Sequence, residues 1–233
     1  MMRKRRKQAA ACLLGMAILC SLTACGQGAD QAPQGGKADT ETKTRITEPV
    51  DPSRILIAYF SWADNAVLDE DVDAVASPSV IAPGNVAQLA GWVQEETGGT
   101  LFPIQVSDPY PSDWDACLDR AHKEREEEAR PALTETVENL DQYDVVFLGY
   151  PNWWYGVPMG LLSFLEGHDL SGKQVYLFCS HGTGGLADSV EMITEAASGA
   201  SISEQIFDCY EEDAADSQEE IRTWLNELGY ESF

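Results

Sequence analysis

Four large rings, Tyr150, Trp153, Trp154 and Tyr155, fall within six positions in the segment GYPNWWYGVP. Rings gathered this closely suit the face of a flat conjugated ligand, and equally suit the cap of an apolar core. Pro151, Gly156 and Pro158 set the backbone around them, with Asn152 as the polar member, so the rings are held in defined positions. A second set is small and polar: Ser61, Trp62 and Asn65 follow one apolar run, and Gly84 with Asn85 opens a helical pattern. Hydroxyl donors beside the free N–H groups of a helix start suit a phosphate. The third set, Ser180, His181, Gly182, Thr183 and Gly184, is a tight turn whose backbone donors suit the polar edge of a heteroaromatic ring. His181 is either a surface loop residue or, as imidazolium, a partner for negative charge on that ring. Together the three sets fit a flat redox cofactor with a phosphate tail, a flavin.

Each set must be positioned by the element before it. RILIAYF (54–60), DVVFL (144–148) and KQVYLFC (173–179) are near-continuous apolar runs of the kind that form strands buried on both faces. Two more strands are expected at 101–106 and 201–209. Helical patterns intervene: one opens at Gly84-Asn85 and stops at Gly98-Gly99, and one starts with Ser112 and Asp115 as a capping box and runs to Arg130. A short apolar helix spans Leu161 to Leu165, another closes at Ile193, and the last runs from Asp216 to Gly229 with Ile221, Trp224, Leu225 and Leu228 on one face. Alternation of this kind predicts an α/β protein, a doubly wound, three-layer parallel sheet of five strands. Ligands of such sheets sit at the carboxyl ends of the strands, where all three polar or aromatic sets lie.

The stretches ILIAYFS, TGGTLFPI, PYPSDWDACLDRAHKEREEEARP, ENLDQYDVVFLGYPNWW, SFLEGHDLSGK and HGTGG resemble, in order, the flavodoxin family, in particular its short-chain flavodoxin-like domains. The resemblance implies a flavodoxin fold with strand order 2-1-3-4-5 that binds FMN non-covalently. It also implies that Ser61, Gly84 and Asn85 form the phosphate loop, Pro151 to Gly156 the first ring loop, and Ser180 to Gly184 the second. One departure is clear. The family's hydroxyl-glycine-asparagine-threonine run is split here by an acidic insertion, residues 66–83, and Val86 stands at the threonine position. Either Asn65, Ser77 or Ser79 supplies the missing donor, or affinity falls by the worth of one charge-assisted hydrogen bond, about one to two decades.

The amino terminus has a different character. RKRRK (3–7) precedes an apolar stretch from Ala9 to Ala24 that ends in Leu22-Thr23-Ala24-Cys25-Gly26. This resembles the signal peptide and lipobox of bacterial lipoproteins, which implies removal of residues 1–24 and acylation of Cys25. Residues 25–52, without apolar period, are expected to form a disordered tether to a domain spanning 53–233. Formal net charge is −24, from 39 acidic and 15 basic residues. That argues against nucleic acid and against an anionic membrane surface as partners, and favours a basic redox partner. Cys117, Cys179 and Cys209 have no spacing suited to a metal or a disulfide framework, and no nucleophile-base pair stands out. The expected function is FMN-based electron transfer or partner-dependent reduction on the extracytoplasmic face of the cell membrane. The rival expectation is a cofactor-free envelope binding module of the same fold.

Overall fold

The structure is a computed structural model that describes residues 50–68 and 77–230. The expected signal peptide, the lipidation site Cys25, the tether up to residue 49 and residues 69–76 of the acidic insertion lie outside the described residues.

Strand β1, Ile55–Tyr59, is followed by the two-residue β2, Ala66–Val67, and then by helix α1, Asn85–Thr97. β3, Thr100–Pro103, and β4, Tyr110–Pro111, precede α2, Trp114–Glu126. β5, Val145–Pro151, leads into α3, Met159–Gly167, and β6, Gln174–His181, into α4, Ser189–Ala196. β7, Ser201–Ile202, β8, Phe207–Tyr210, and α5, Gln218–Leu228, complete the order. The main sheet is parallel and runs β3-β1-β5-β6-β7, with β8 also on β6. β7 and β8 share one edge of β6, so the sheet has five strand positions in the expected 2-1-3-4-5 order.

Alternation along β1 and β5 divides the core between two helical layers. Ile55, Ile57, Val145 and Phe147 pack with α1 and α5, through Leu89, Val93, Trp224 and Leu225. Leu56, Ala58, Val146 and Leu148 pack with α3 and α4, through Leu161, Phe164 and Ile193. Because successive side chains point to opposite faces, a strand covered on both sides must be apolar at every position. β5 is buried along its whole length.

The chain departs from its sequence pattern in three places. The expected strand at 201–209 is two pieces: β7 pairs with Gln174 and Val175, and β8 with Phe178 to His181. Between them the Ser203 hydroxyl accepts the Gln205 N–H at 3.1 Å, a local turn that competes with the ladder. Helix α2 is capped by Asp113, whose carboxylate accepts the Ala116 N–H at 2.8 Å, and it ends before Glu128, which has a φ of 50°. A small parallel pair, β2 with β4, ties the start of the insertion to the segment ahead of α2.

Candidate functional site

A cleft of about 410 Å³ opens at the carboxyl ends of β5, β6 and β8. Its wall includes residues 151–155 and 180–184, with Trp62 from the segment after β1 and Ser77 and Ser79 from the insertion. α2 and the end of β8 complete it.

The aromatic loop after β5 is a two-residue hairpin. Trp153 and Gly156 exchange both backbone hydrogen bonds, at 3.1 and 3.0 Å, and the residues between them, Trp154 and Tyr155, have φ of 52° and 61°. Such turns normally carry Asn-Gly, because left-handed backbone strains residues with a Cβ. Four contacts hold the strained turn. The Trp154 indole N–H donates to Leu118 O at 3.0 Å, and its ring lies 4.5 Å from that of His122. Arg125 of α2 donates to Trp154 O, and Asp188 N–H donates to Tyr155 O at 3.0 Å. A Cβ at Gly156 would lie 2.5 Å from the Arg125 guanidinium and 2.6 Å from Met192 Sδ, so a larger residue there would push the ends of both side chains aside.

The rings divide their roles. Trp153 is half-buried and meets Phe60, Tyr110 and Trp62 edge to face at centroid distances of 5.6, 5.1 and 6.1 Å. It both caps the core and lines the cleft. Tyr155 is 60% exposed at the mouth. Trp62 is nearly buried, its indole N–H bonded to Pro111 O at 3.1 Å, yet it reaches the wall.

The second loop is locked to the first: Asn152 N–H donates to Ser180 O at 2.9 Å, and the Asn152 amide donates to Gly185 O. His181 has Nδ1 2.8 Å from Gly182 O and Nε2 2.8 Å from the Asp208 carboxylate. Both ring nitrogens therefore face acceptors. A neutral ring satisfies one of them and the imidazolium both.

At the third set, Ser61 is 1% exposed and its Oγ has no hydrogen-bond partner among the described residues. It lies against Gly84, where φ is +76° and a Cβ would come 2.7 Å from Ser61 Oγ and 2.8 Å from Ser79 O. α1 follows this glycine without a side-chain cap, so among the described residues no side chain takes its first N–H groups. An orphaned hydroxyl beside an uncapped helix start is a donor set that fits a phosphate. Ser61, Gly84, Asn85, Asn65 and Gly156, expected in the site, are not among the residues that line the cleft, and all are buried. The Asn65 amide is engaged by Ser61 O, Ile104 O and Val106 N–H, and the Asn85 amide by Ser180 Oγ and Glu211 O.

Two further parts of the wall go beyond the three expected sets. Trp114, Cys117, Leu118 and Ala121 give one face of α2 to the cleft, at helical spacing that is legible once the charged residues between them are set aside. Burial pushes the Cys117 thiol up to about 12, so it is a neutral apolar wall. Tyr210 and Glu211 close the other side. Among the described residues no Lys or Arg is on the wall, and no cluster of His, Cys, Asp and Glu is arranged to hold a metal.

The flavodoxin profile matches residues 73–228. A candidate flavoprotein of Bacteroides eggerthii is 28% identical, with a TM-score of 0.56, over 76% of this chain and 98% of that one. A second, from Bacteroides uniformis, is 23% identical with a TM-score of 0.57, over 76% and 99% of the two chains. No curated protein matches the sequence. With the sheet order, the strand-end cleft and a profile match across most of the chain, the protein belongs to the flavodoxin family.

Proposed function

We propose that the cleft holds FMN and that the protein is an electron carrier or partner-dependent reductase anchored by lipid at the cell envelope. The observation that carries the reading is convergence: the aromatic loop and the glycine turn face one cleft, and the Ser61 hydroxyl, without a partner among the described residues, lies against Gly84 at the start of α1. Family membership and the likeness to the Bacteroides eggerthii protein add support.

Bound FMN would supply one- and two-electron redox chemistry, and the protein would bind and tune it. Ser61 and the first N–H groups of α1 hold the phosphate. Trp153, Trp154 and Tyr155 flank the ring, and the backbone from Gly182 to Gly184 donates to its polar edge. His181, held between Gly182 O and Asp208, favours negative charge on the reduced ring when protonated. The acidic excess of the chain disfavours that same charge, repels anionic nicotinamide nucleotides and attracts a basic protein partner. The lipobox-like ending at Cys25 supports anchoring on the extracytoplasmic face.

Two measurements test the reading. Full-length protein purified from membranes is expected to be yellow and to release FMN on acid denaturation, and Cys25→Ser is expected to move it from the membrane to the soluble fraction. A colourless protein that ignores added FMN would support the rival, a cofactor-free binding module. An unchanged membrane fraction for Cys25→Ser would remove the lipid anchor.

A further inference from the structure

Glu211 follows β8 directly and lies on the polar side of the cleft. Its N–H donates to His181 O at 2.8 Å and its carbonyl accepts from the Asn85 amide at 2.8 Å, so its backbone is fixed between the glycine turn and the first residue of α1. Its carboxylate accepts the Ser77 hydroxyl at 3.0 Å. Ser77 Oγ in turn accepts the Ser79 N–H at 3.2 Å, and Ser79 O lies against Gly84. Glu211 thus touches the first residue of α1 through its backbone, and its carboxylate reaches the glycine before α1 only by way of Ser77 and Ser79.

Among the described residues no ion pair involves Glu211, and no Lys or Arg lies on the cleft wall to offset it. An uncompensated carboxylate beside a tail-binding region treats two tails differently. It accepts a hydrogen bond from a neutral hydroxyl, and it repels a phosphate dianion.

We propose that Glu211 is the residue that sets discrimination between phosphorylated and unphosphorylated flavins, narrowing the preference for FMN so that riboflavin is taken on comparable terms. This rests on the flavin reading of the cleft. The donors at Ser61 and α1 favour the phosphate and Glu211 opposes it, so the two effects offset each other.

The test is a titration of full-length protein with FMN and with riboflavin, followed by quenching of flavin fluorescence, in wild type, Glu211→Gln and Ser77→Ala. Glu211→Gln keeps an acceptor for Ser77 and is expected to tighten FMN about tenfold, the effect of removing one nearby like charge. Riboflavin is expected to stay within about threefold, and the gain for FMN to shrink at high salt. Ser77→Ala leaves the charge in place and is not expected to tighten FMN. Equal shifts for both flavins, no shift for FMN, or an equal gain in Ser77→Ala would overturn the proposal. Failure of every protein to bind either flavin would overturn the flavin reading itself, and the proposal with it.

Discussion

The Arg125 guanidinium donates to the carbonyl of Trp154, and this contact ties helix α2 to a turn that two aromatic residues make with left-handed backbone. The strain of two such residues is on the order of 1–3 kcal/mol each, and it is sustained only while the surroundings over-determine the turn. Arg125 also approaches Asp188 at 3.6 Å, so the guanidinium bridges α2, the aromatic loop and the start of α4. Arg125→Ala is expected to weaken FMN binding about tenfold, the worth of one charged hydrogen bond, and to change the emission of the unliganded protein through Trp154. Arg125→Lys should recover only part of both, because an ammonium lacks the fork of donors. Full affinity in Arg125→Ala would show that the turn holds itself.

Trp153 and Trp62 both reach the cleft, but they are held differently. Trp62 is 3% exposed and bonded to Pro111 O, so its loss falls mainly on stability, about 3–5 kcal/mol for a buried tryptophan replaced by alanine. Trp153→Ala should weaken FMN more than Trp62→Ala, and Trp62→Ala should lower the melting temperature more. Thermal melts with fluorescence titration of both variants separate the effects, and equal affinities would remove Trp153 from the ring wall.

The Ser61 hydroxyl is buried without a partner among the described residues, an arrangement that costs stability unless a ligand uses it. Ser61→Ala is therefore expected to leave the melting temperature unchanged or slightly raised, while FMN binding weakens about tenfold. Riboflavin, lacking the phosphate, should not respond. Gly84→Ala combines a strained φ with a collision at Ser61 Oγ, and should lose both stability and FMN affinity.

A pH effect follows from Asp64. Burial pushes its carboxyl above the ordinary value of 3.8, against a bond from Tyr59 that lowers it, and its Oδ2 has no partner among the described residues. The folded state then holds the proton more tightly than the unfolded chain. Stability is lost as pH rises from 3.8 through the raised value. Asp64→Asn should melt higher than wild type at neutral pH, and the difference should vanish in acid below the ordinary aspartate range. A difference that persists in acid would assign it to packing.

Much of this architecture is legible in the sequence because burial on two faces forces a recognisable composition. β5 needs seven buried positions, and the chain supplies an apolar run ending in the aromatic loop. The turn residues at Gly98 and Gly229, with φ of 69° and 95°, stand where helices were expected to stop. Other features carry no such signature. Two-residue strands such as β2 and β4 are too short for a period, and the break between β7 and β8 carries only a local turn at Ser203. The apolar face of α2 is interleaved with charge, so its residues read as surface. Glu211 sits in the run EED and reads as a solvated acid, although its partners lie 134 and 126 positions away in sequence. Asn65 shows the reverse: a residue type suited to a ligand, whose amide is instead engaged by the backbone of two segments.

The most direct test of the central claim is stoichiometric: titration of purified full-length protein, stripped of flavin, with FMN, followed by flavin fluorescence and by tryptophan emission. Quenching of both signals that saturates at one FMN per chain, and is weakened by Ser61→Ala and by Trp153→Ala, is the predicted result. Flavin fluorescence that stays at its free value across the titration would contradict the assignment of the cleft.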